Sequence, residues 1–527
     1  MGEYEKERDL RAERRKKRRR RQRIRGIILL IVMLLLLAAV AVFILSNRGK
    51  LDLSGMAESV TTFVTEDIPD FFTKGELVGK VKDLLGMERQ TEPQTTEAVT
   101  ETERQTEPPT ENHDEEIAQA DLLAAMYDYD GAIALLKGIG TYSSNTELQN
   151  RVAGYEQKKA ACVPIGPEDV THIFYHSLVV DPARAFDPDK DGYAGWQQWM
   201  TTVTEFDRIT QSMYDRGYVL VSIHDLIRKT ENSDGTVTIE ANQILLPPDK
   251  KAYVMSLDDL SYYHTYDDRG VASKLVLDEE GKPVCEYVEA DGTTVYGAYD
   301  VVPRMDAFIE EHPDASYRGA KGIIALTGYN GVLGYRTDGT YSPEHNTNSE
   351  VYYTDDLQQK WLDAHPDYDF EKECEEAKKV ADAMKADGWE FASHTWGHKE
   401  VGDASYEELV RDTERWKQYV EPIVGETDTI IFAHGQDIAG GEGYTSGNAK
   451  YTYLKSMGFD IFCNVDSTPY QTSVTSEYLH QGRRNLDGYR IYQDAIIENP
   501  KTADLFDANE VLDPDRPLPV PDLGNPG

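Results

Sequence analysis

Cysteine is scarce, with four residues in 527, and Cys162, Cys285, Cys374 and Cys463 stand too far apart to form a C-x-x-C metal or redox pair. They are expected as buried free thiols, with one disulfide left open for an oxidising compartment. No G-x-S-x-G nucleophile elbow occurs, and no glycine-rich loop leads into a helix as a phosphate cradle would, so serine-esterase and nucleotide-dependent chemistries are set aside. Positive charge is sparse too: 55 Lys and Arg face 94 Asp and Glu, for a net charge of −39. Its distribution is uneven, because residues 1–25 hold 13 Lys/Arg against 5 Asp/Glu and leave −47 on the other 502 residues. So acidic a body repels nucleic acid and anionic polymers and suits a neutral glycan partner.

The basic block Arg14 to Arg25 runs directly into an apolar stretch, Gly26 to Leu45, followed only by Arg48 and Lys50. Twenty apolar residues at about 1.5 Å each match a hydrocarbon core of about 30 Å. The positive-inside rule then predicts a single-pass anchor over 26–46, with residues 1–25 in the cytoplasm and the body outside. The rival is a cleaved signal peptide, whose apolar region would be shorter and followed by a small-residue cleavage site. Residues 47–112 read as a stalk and then a Thr/Glu/Pro-rich spacer that cannot bury enough apolar surface to fold. Residues 113–161 carry helical periodicity and include one tetratricopeptide-like hairpin, which alone cannot form a continuous core. Packing onto the main domain is its expected role, with a partner-binding helix pair as the alternative.

From His172 onward strand and helix signals alternate. Strands are expected at 172–176, 218–223, 252–257, 322–326, 389–392, 429–432 and 459–465. Helices are expected at 196–216, 371–387 and 406–424. Such βα repetition argues for a parallel sheet with helices outside, open or closed into a barrel. Residues 261–300 interrupt the order with a hairpin turning at Glu280-Gly281. The proline-rich residues 506–527 are expected as a disordered tail, so the main domain is placed at 162–505.

Two motifs sit just past strand ends. The run Lys251 to Leu257 ends in Asp258-Asp259, and Trp389 to Ala392 is followed by Ser393-His394-Thr395-Trp396-Gly397-His398. A hydrolytic metal site needs two histidines and a carboxylate as ligands, an open position for water, and a second carboxylate as base. Two histidines four apart share one face if the chain turns into a helix there.

These motifs resemble those of the polysaccharide deacetylases with the NodB-homology domain, carbohydrate esterase family 4, from about His172 to Asp494. The family's T-F-D-D-G corresponds to Ser256-Leu257-Asp258-Asp259-Leu260, and its H-[ST]-x-x-H to His394-Thr395-Trp396-Gly397-His398. The resemblance implies a distorted (β/α) barrel and a divalent metal, Zn²⁺ first, held by Asp259, His394 and His398, with Asp258 as base. It implies removal of N-acetyl groups from N-acetylglucosamine in a bacterial wall or surface polysaccharide. The family's R-x-P-[YF] motif falls on Ala433-His434-Gly435-Gln436, so the arginine that orients the base is expected to be missing, and the Gln436 backbone N–H is the candidate oxyanion donor. Arg336 is a candidate substitute for that arginine. The family's L-x-H acid is not found; His434 is the first candidate acid and His480 the second, with His176, His224 and His264 behind them. Trp396 is a candidate wall of a sugar groove. These departures leave open a second reading, a decayed deacetylase fold that binds glycan or a partner without turnover.

Overall fold

Strand β1 (Thr171–Tyr175) is paired on one edge by β2 (Lys251–Asp258), and β3 (Ile323–Leu326), β4 (Glu390–Ser393), β5 (Thr429–Ile431), β6 (Ile461–Val465) and β7 (Leu479–Asn485) follow in parallel register. β7 pairs back onto β1, with Arg483 opposite His172, so the seven strands close a (β/α) barrel in chain order. This computed structural model describes residues 113–524 except 234, 343–355, 441 and 467. The expected cytoplasmic segment, membrane span and spacer lie outside the described residues. Among the described residues no helix is long and apolar enough to cross a membrane.

The two-residue period of the strands sorts their side chains into two buried sets. Ala252 and Val254 of β2 cluster with Ala325, Ile461, Cys463 and Leu479. The alternating Tyr253, Met255 and Leu257 cluster instead with residues of the surrounding helices, among them Ile209 and Met384. Full burial of a side chain such as Met384 contributes about 1.5–3 kcal/mol.

Helices α1 (Asp114–Ala125), α2 (Tyr129–Lys137) and α3 (Thr146–Ala161) join the inner cluster through Ile117, Leu136 and Val152. The Tyr127 hydroxyl donates to the Asp314 carbonyl at 2.8 Å, and the Arg318 N–H to the Met126 carbonyl at 2.8 Å, in the loop that leads into β3. The helical segment therefore packs on the barrel near the end where the strands begin.

Four expectations are corrected. The helix expected over 196–216 is two, Tyr193–Trp199 and α4 (Val203–Asp215), because Thr202 and Glu205 form a reciprocal capping box that starts a new helix. The helix expected over 406–424 stops at Tyr419: α6 (Tyr406–Tyr419) ends shortly before Pro422, which cannot continue the hydrogen-bond ladder, while α5 (Phe370–Ala386) ends near its expected place. Strand β7 had no counterpart in the apolar pattern. Residues 506–524 are not a disordered tail: Val511 and Val520 are buried, and the Arg516 guanidinium lies on the Glu205 carboxylate at 2.6 and 2.7 Å. The segment is a strap with one short helix, Ala508–Val511, held by that buried ion pair and by the Thr202 hydroxyl donating to Asp513 at 2.6 Å.

The insertion after β2 forms a three-stranded antiparallel sheet, Lys274–Leu277, Pro283–Val288 and Thr294–Gly297, docked by the Leu275 N–H on the Leu333 carbonyl at 3.0 Å.

Candidate metal centre and active site

Asp258 is the last residue of β2, and Asp259 follows with φ of 63°. Consecutive strand residues normally face opposite sides. The left-handed turn at Asp259 sends both carboxylates to the same end of the barrel, where Asp258 Oδ2 lies 3.8 Å from His394 Nε2 and Asp259 Oδ2 lies 3.6 Å from His398 Nε2. The two histidines are not on a helix. After β4 the chain runs through a loop with φ of 61° at Thr395 and 50° at His398, which brings the imidazole centroids to 5.1 Å. Left-handed conformations cost L-residues free energy and persist where the surroundings impose them. Here Asp412 of α6 imposes the turn, accepting from the Trp396 N–H at 2.6 Å and the Gly397 N–H at 2.8 Å.

Ligating atoms of Asp259, His394 and His398 all lie within 4.8 Å of one another. The residues around them suit a cation. His394 Nδ1–H donates to the Ile431 carbonyl at 2.8 Å, which fixes the tautomer and leaves the Nε2 lone pair toward the carboxylates. The Tyr263 hydroxyl donates to Asp259 Oδ1 at 2.6 Å, so Oδ2 is the oxygen turned to His398. A set of two imidazoles and one carboxylate is the donor chemistry of a catalytic zinc site. Burial pushes the His394 imidazole down to about 4, against the pull of Asp258 and Asp259, so it is neutral and ready to ligate near pH 7. Asp259 is also ionised: burial opposes this, but His398 and His394 outweigh it.

The arginine expected to be missing is present on a different strand. Arg483 of β7, fully buried, donates from Nη1 to Asp258 Oδ1 at 2.7 Å and from Nη2 to Oδ2 at 3.0 Å, with the Phe174 ring 4.2 Å beneath its guanidinium. This forked pairing overcomes the burial of Asp258 and holds its carboxyl well below the usual carboxylate range. Sequence reading passed over Arg483 because Leu479 to Asn485 lacks the apolar alternation that marks a strand. The one available signal was a pair of arginines in an acidic chain.

Arg336 does not substitute for it; buried, it donates to the carbonyls of Tyr262 and Asn330. Gln436 is not poised as an oxyanion donor, since its backbone N–H is bonded to the Ala433 carbonyl at 3.2 Å and its side-chain amide to Asp403 at 3.1 Å. Trp396 is 2% exposed and packs in the outer core beneath Arg415, with no face open to a sugar. Its place two residues after His394 reflects packing.

Among the histidines, His434 is exposed, has φ of 56°, and lies 4.2 Å from His398 ring to ring. His176, just past β1, acts electrostatically on Asp258 and Asp259, and on the buried Asp487. His480 sits on β7 between the inward Gln481 and Leu479 and packs on Tyr444, away from the barrel interior. His264 bonds the Tyr341 hydroxyl, and His224 bonds Glu390 and Asp428 where β4 and β5 begin.

A sequence model of the polysaccharide deacetylase family matches residues 357–436, which include His394 and His398. Over that stretch the chain is similar to the polysaccharide deacetylases, and the match supports a NodB-type deacetylase domain. The chain is also similar to the Streptococcus pyogenes deacetylase PplD in complex with acetate: identity is 14%, covering 63% of this chain and 98% of that one, with a TM-score of 0.30. A polysaccharide deacetylase from Bacillus cereus is 11% identical over 62% of this chain and 65% of its own, with a TM-score of 0.29. No curated protein sequence matches.

Proposed function

We propose that the protein is a metal-dependent deacetylase that removes N-acetyl groups from N-acetylglucosamine residues of bacterial peptidoglycan or a surface polysaccharide. The observation that carries this reading is the pairing of a three-ligand cluster, Asp259, His394 and His398, with a second carboxylate, Asp258, held ionised by Arg483 beside it. A divalent ion bound there, zinc by donor type, would polarise the acetyl carbonyl and acidify a water. Asp258 would accept a proton from the attacking water; its fixed charge and the two guanidinium bonds keep both its protonation state and its orientation. The departing amine needs a proton, and two histidines stand near enough to give it. His434 lies against His398, with ring centroids 4.2 Å apart, and His176, just past β1, acts electrostatically on Asp258 and Asp259, so these two are the candidate acids.

The substrate, the metal and an extracellular setting belong to this proposal, as does the single-pass anchor at 26–46. In support of the setting stand the basic block, the apolar run and the spacer, which together would hold an acidic catalytic body away from the bilayer. Metal analysis of the purified protein together with acetate release from chitooligosaccharide and peptidoglycan tests the reading. Bound divalent metal with acetate release sustains it. Glycan binding without acetate release replaces it with a binding module.

A further inference from the structure

Beneath Arg483 the inner face of the barrel carries polar side chains where hydrocarbon would be expected. His172 of β1, Ser256 of β2 and Gln481 of β7 are at most 1% exposed and hydrogen bonded to one another in a chain. The direction of that chain is set by groups with only one role. Gln481 Nε2 donates to the Val170 carbonyl at 3.2 Å, so its Oε1 is the oxygen that accepts from His172 Nδ1 at 3.0 Å. The remaining imidazole nitrogen then carries the lone pair and takes the Ser256 hydroxyl proton at 3.0 Å. Ser256 Oγ, with its proton committed, accepts from Arg483 Nη1 at 3.1 Å. Among the described residues Ser256 is the only hydrogen-bond partner of the Arg483 guanidinium besides Asp258, since Arg483 Nε has none.

We infer that His172 and Ser256 are positioning residues for the catalytic base: the imidazole orients the Ser256 hydroxyl, the hydroxyl presents its lone pair to Arg483, and Arg483 is thereby held in the forked pairing on Asp258. Turned the other way, the Ser256 proton would point at a guanidinium that can only donate, and the fork would lose its anchor. The inference rests on the deacetylase reading with Asp258 as base.

Replacing Ser256 tests it in the purified full chain. Ser256→Ala is expected to lower kcat about 10–100-fold, the usual cost of losing such an outer partner, with KM and metal content unchanged. Ser256→Thr, which keeps the hydroxyl, restores most of the rate. In an Asp258→Asn background Ser256→Ala has no further effect, because the group it positions no longer acts as a base. A crystal structure of Ser256→Ala shows the Arg483 fork on Asp258 opened. Equal losses in both backgrounds, loss of metal, failure of threonine to rescue, or an intact fork in that crystal structure overturns the inference. Should Ser256→Ala fail to fold, Ser256→Cys, of similar volume and a weak donor, carries the same expectations. If the wild type deacetylates no glycan, the deacetylase reading falls, and the crystal structure alone decides whether Ser256 holds Arg483.

Discussion

Two histidines lie near opposite ends of strand β4 and are treated in opposite ways. His394, past its C-terminal end, gives one nitrogen to a backbone carbonyl and keeps the other open between two carboxylates, and burial drives its proton off, down to about 4. His224, beside its first residue, has each nitrogen 2.9 Å from a carboxylate oxygen, on Glu390 and Asp428. Burial works against its charge too, but those two bonds win and push it up to about 10. Lys229 on Asp428 and Asp460, and Lys455 on Asp460, extend the charged cluster. A carboxylate within reach is therefore not what makes a ligand. What distinguishes the two is whether the second nitrogen is bonded or left bare, since a bonded imidazole keeps its proton and a bare neutral one has a lone pair to give.

The largest expected effect that separates the two ends is on metal. His394→Ala/His398→Ala is expected to lose stoichiometric divalent metal, because one carboxylate cannot hold it, while His224→Gln keeps it. Metal retained in the double variant would end the assignment. Next comes the base: Asp258→Asn is expected to keep fold and metal yet lose acetate release by ~10²–10⁴-fold. Loss of metal in that variant would instead make Asp258 a ligand and exchange the two aspartate roles.

Arg483→Met tests the buried pair itself. It leaves an ionised Asp258 without its partner and is expected to cost about 3–5 kcal/mol in urea unfolding, with partial recovery in Arg483→Met/Asp258→Asn, where no charge is left behind.

Smaller and of opposite sign at the two ends are the pH effects on the metal-free protein. His394 has a folded value below its unfolded one, so its contribution is complete above about 6.5 and falls as pH drops toward 4. His224 has a folded value above its unfolded one, so its contribution is complete below about 6.5 and is lost as pH rises toward 10. Thermal melts across pH 6 to 10 should therefore decline less steeply for His224→Gln than for wild type; parallel curves would mean that the two carboxylate bonds do not hold the proton. Least affected should be Trp396→Phe, a core change expected to cost about 1 kcal/mol with KM unmoved. A raised KM would return Trp396 to the substrate groove.

How far the chain could be read in advance depended on whether a signal was local. Six of the seven barrel strands follow from short apolar runs with caps and glycines around them, because hydrophobic burial writes itself into neighbouring residues. β7 does not. Its inward positions, Gln481 and Arg483, are satisfied by His172, Ser256 and Asp258 from more than two hundred residues away, so nothing local announces it. For the same reason an orienting arginine sought near His434 was missed on another strand, where the closed barrel places it across β1 from Asp258.

The sequence by itself determined the alternating architecture, the acidic body and the two motifs that carry the candidate ligands and base, since each is a property of adjacent residues. Only the tertiary structure decided what those residues do together. Barrel closure brings β7 beside β1 and supplies the guanidinium for Asp258; left-handed turns at Asp259, Thr395 and His398, held in part by Asp412, bring the candidate ligands together. The same packing removed Trp396, Gln436 and Arg336 from the site by giving their surfaces and donors to the core and the backbone. A side chain's type fixes which bonds it can make, whereas the fold fixes which partners are in reach, and at a buried site reach decides.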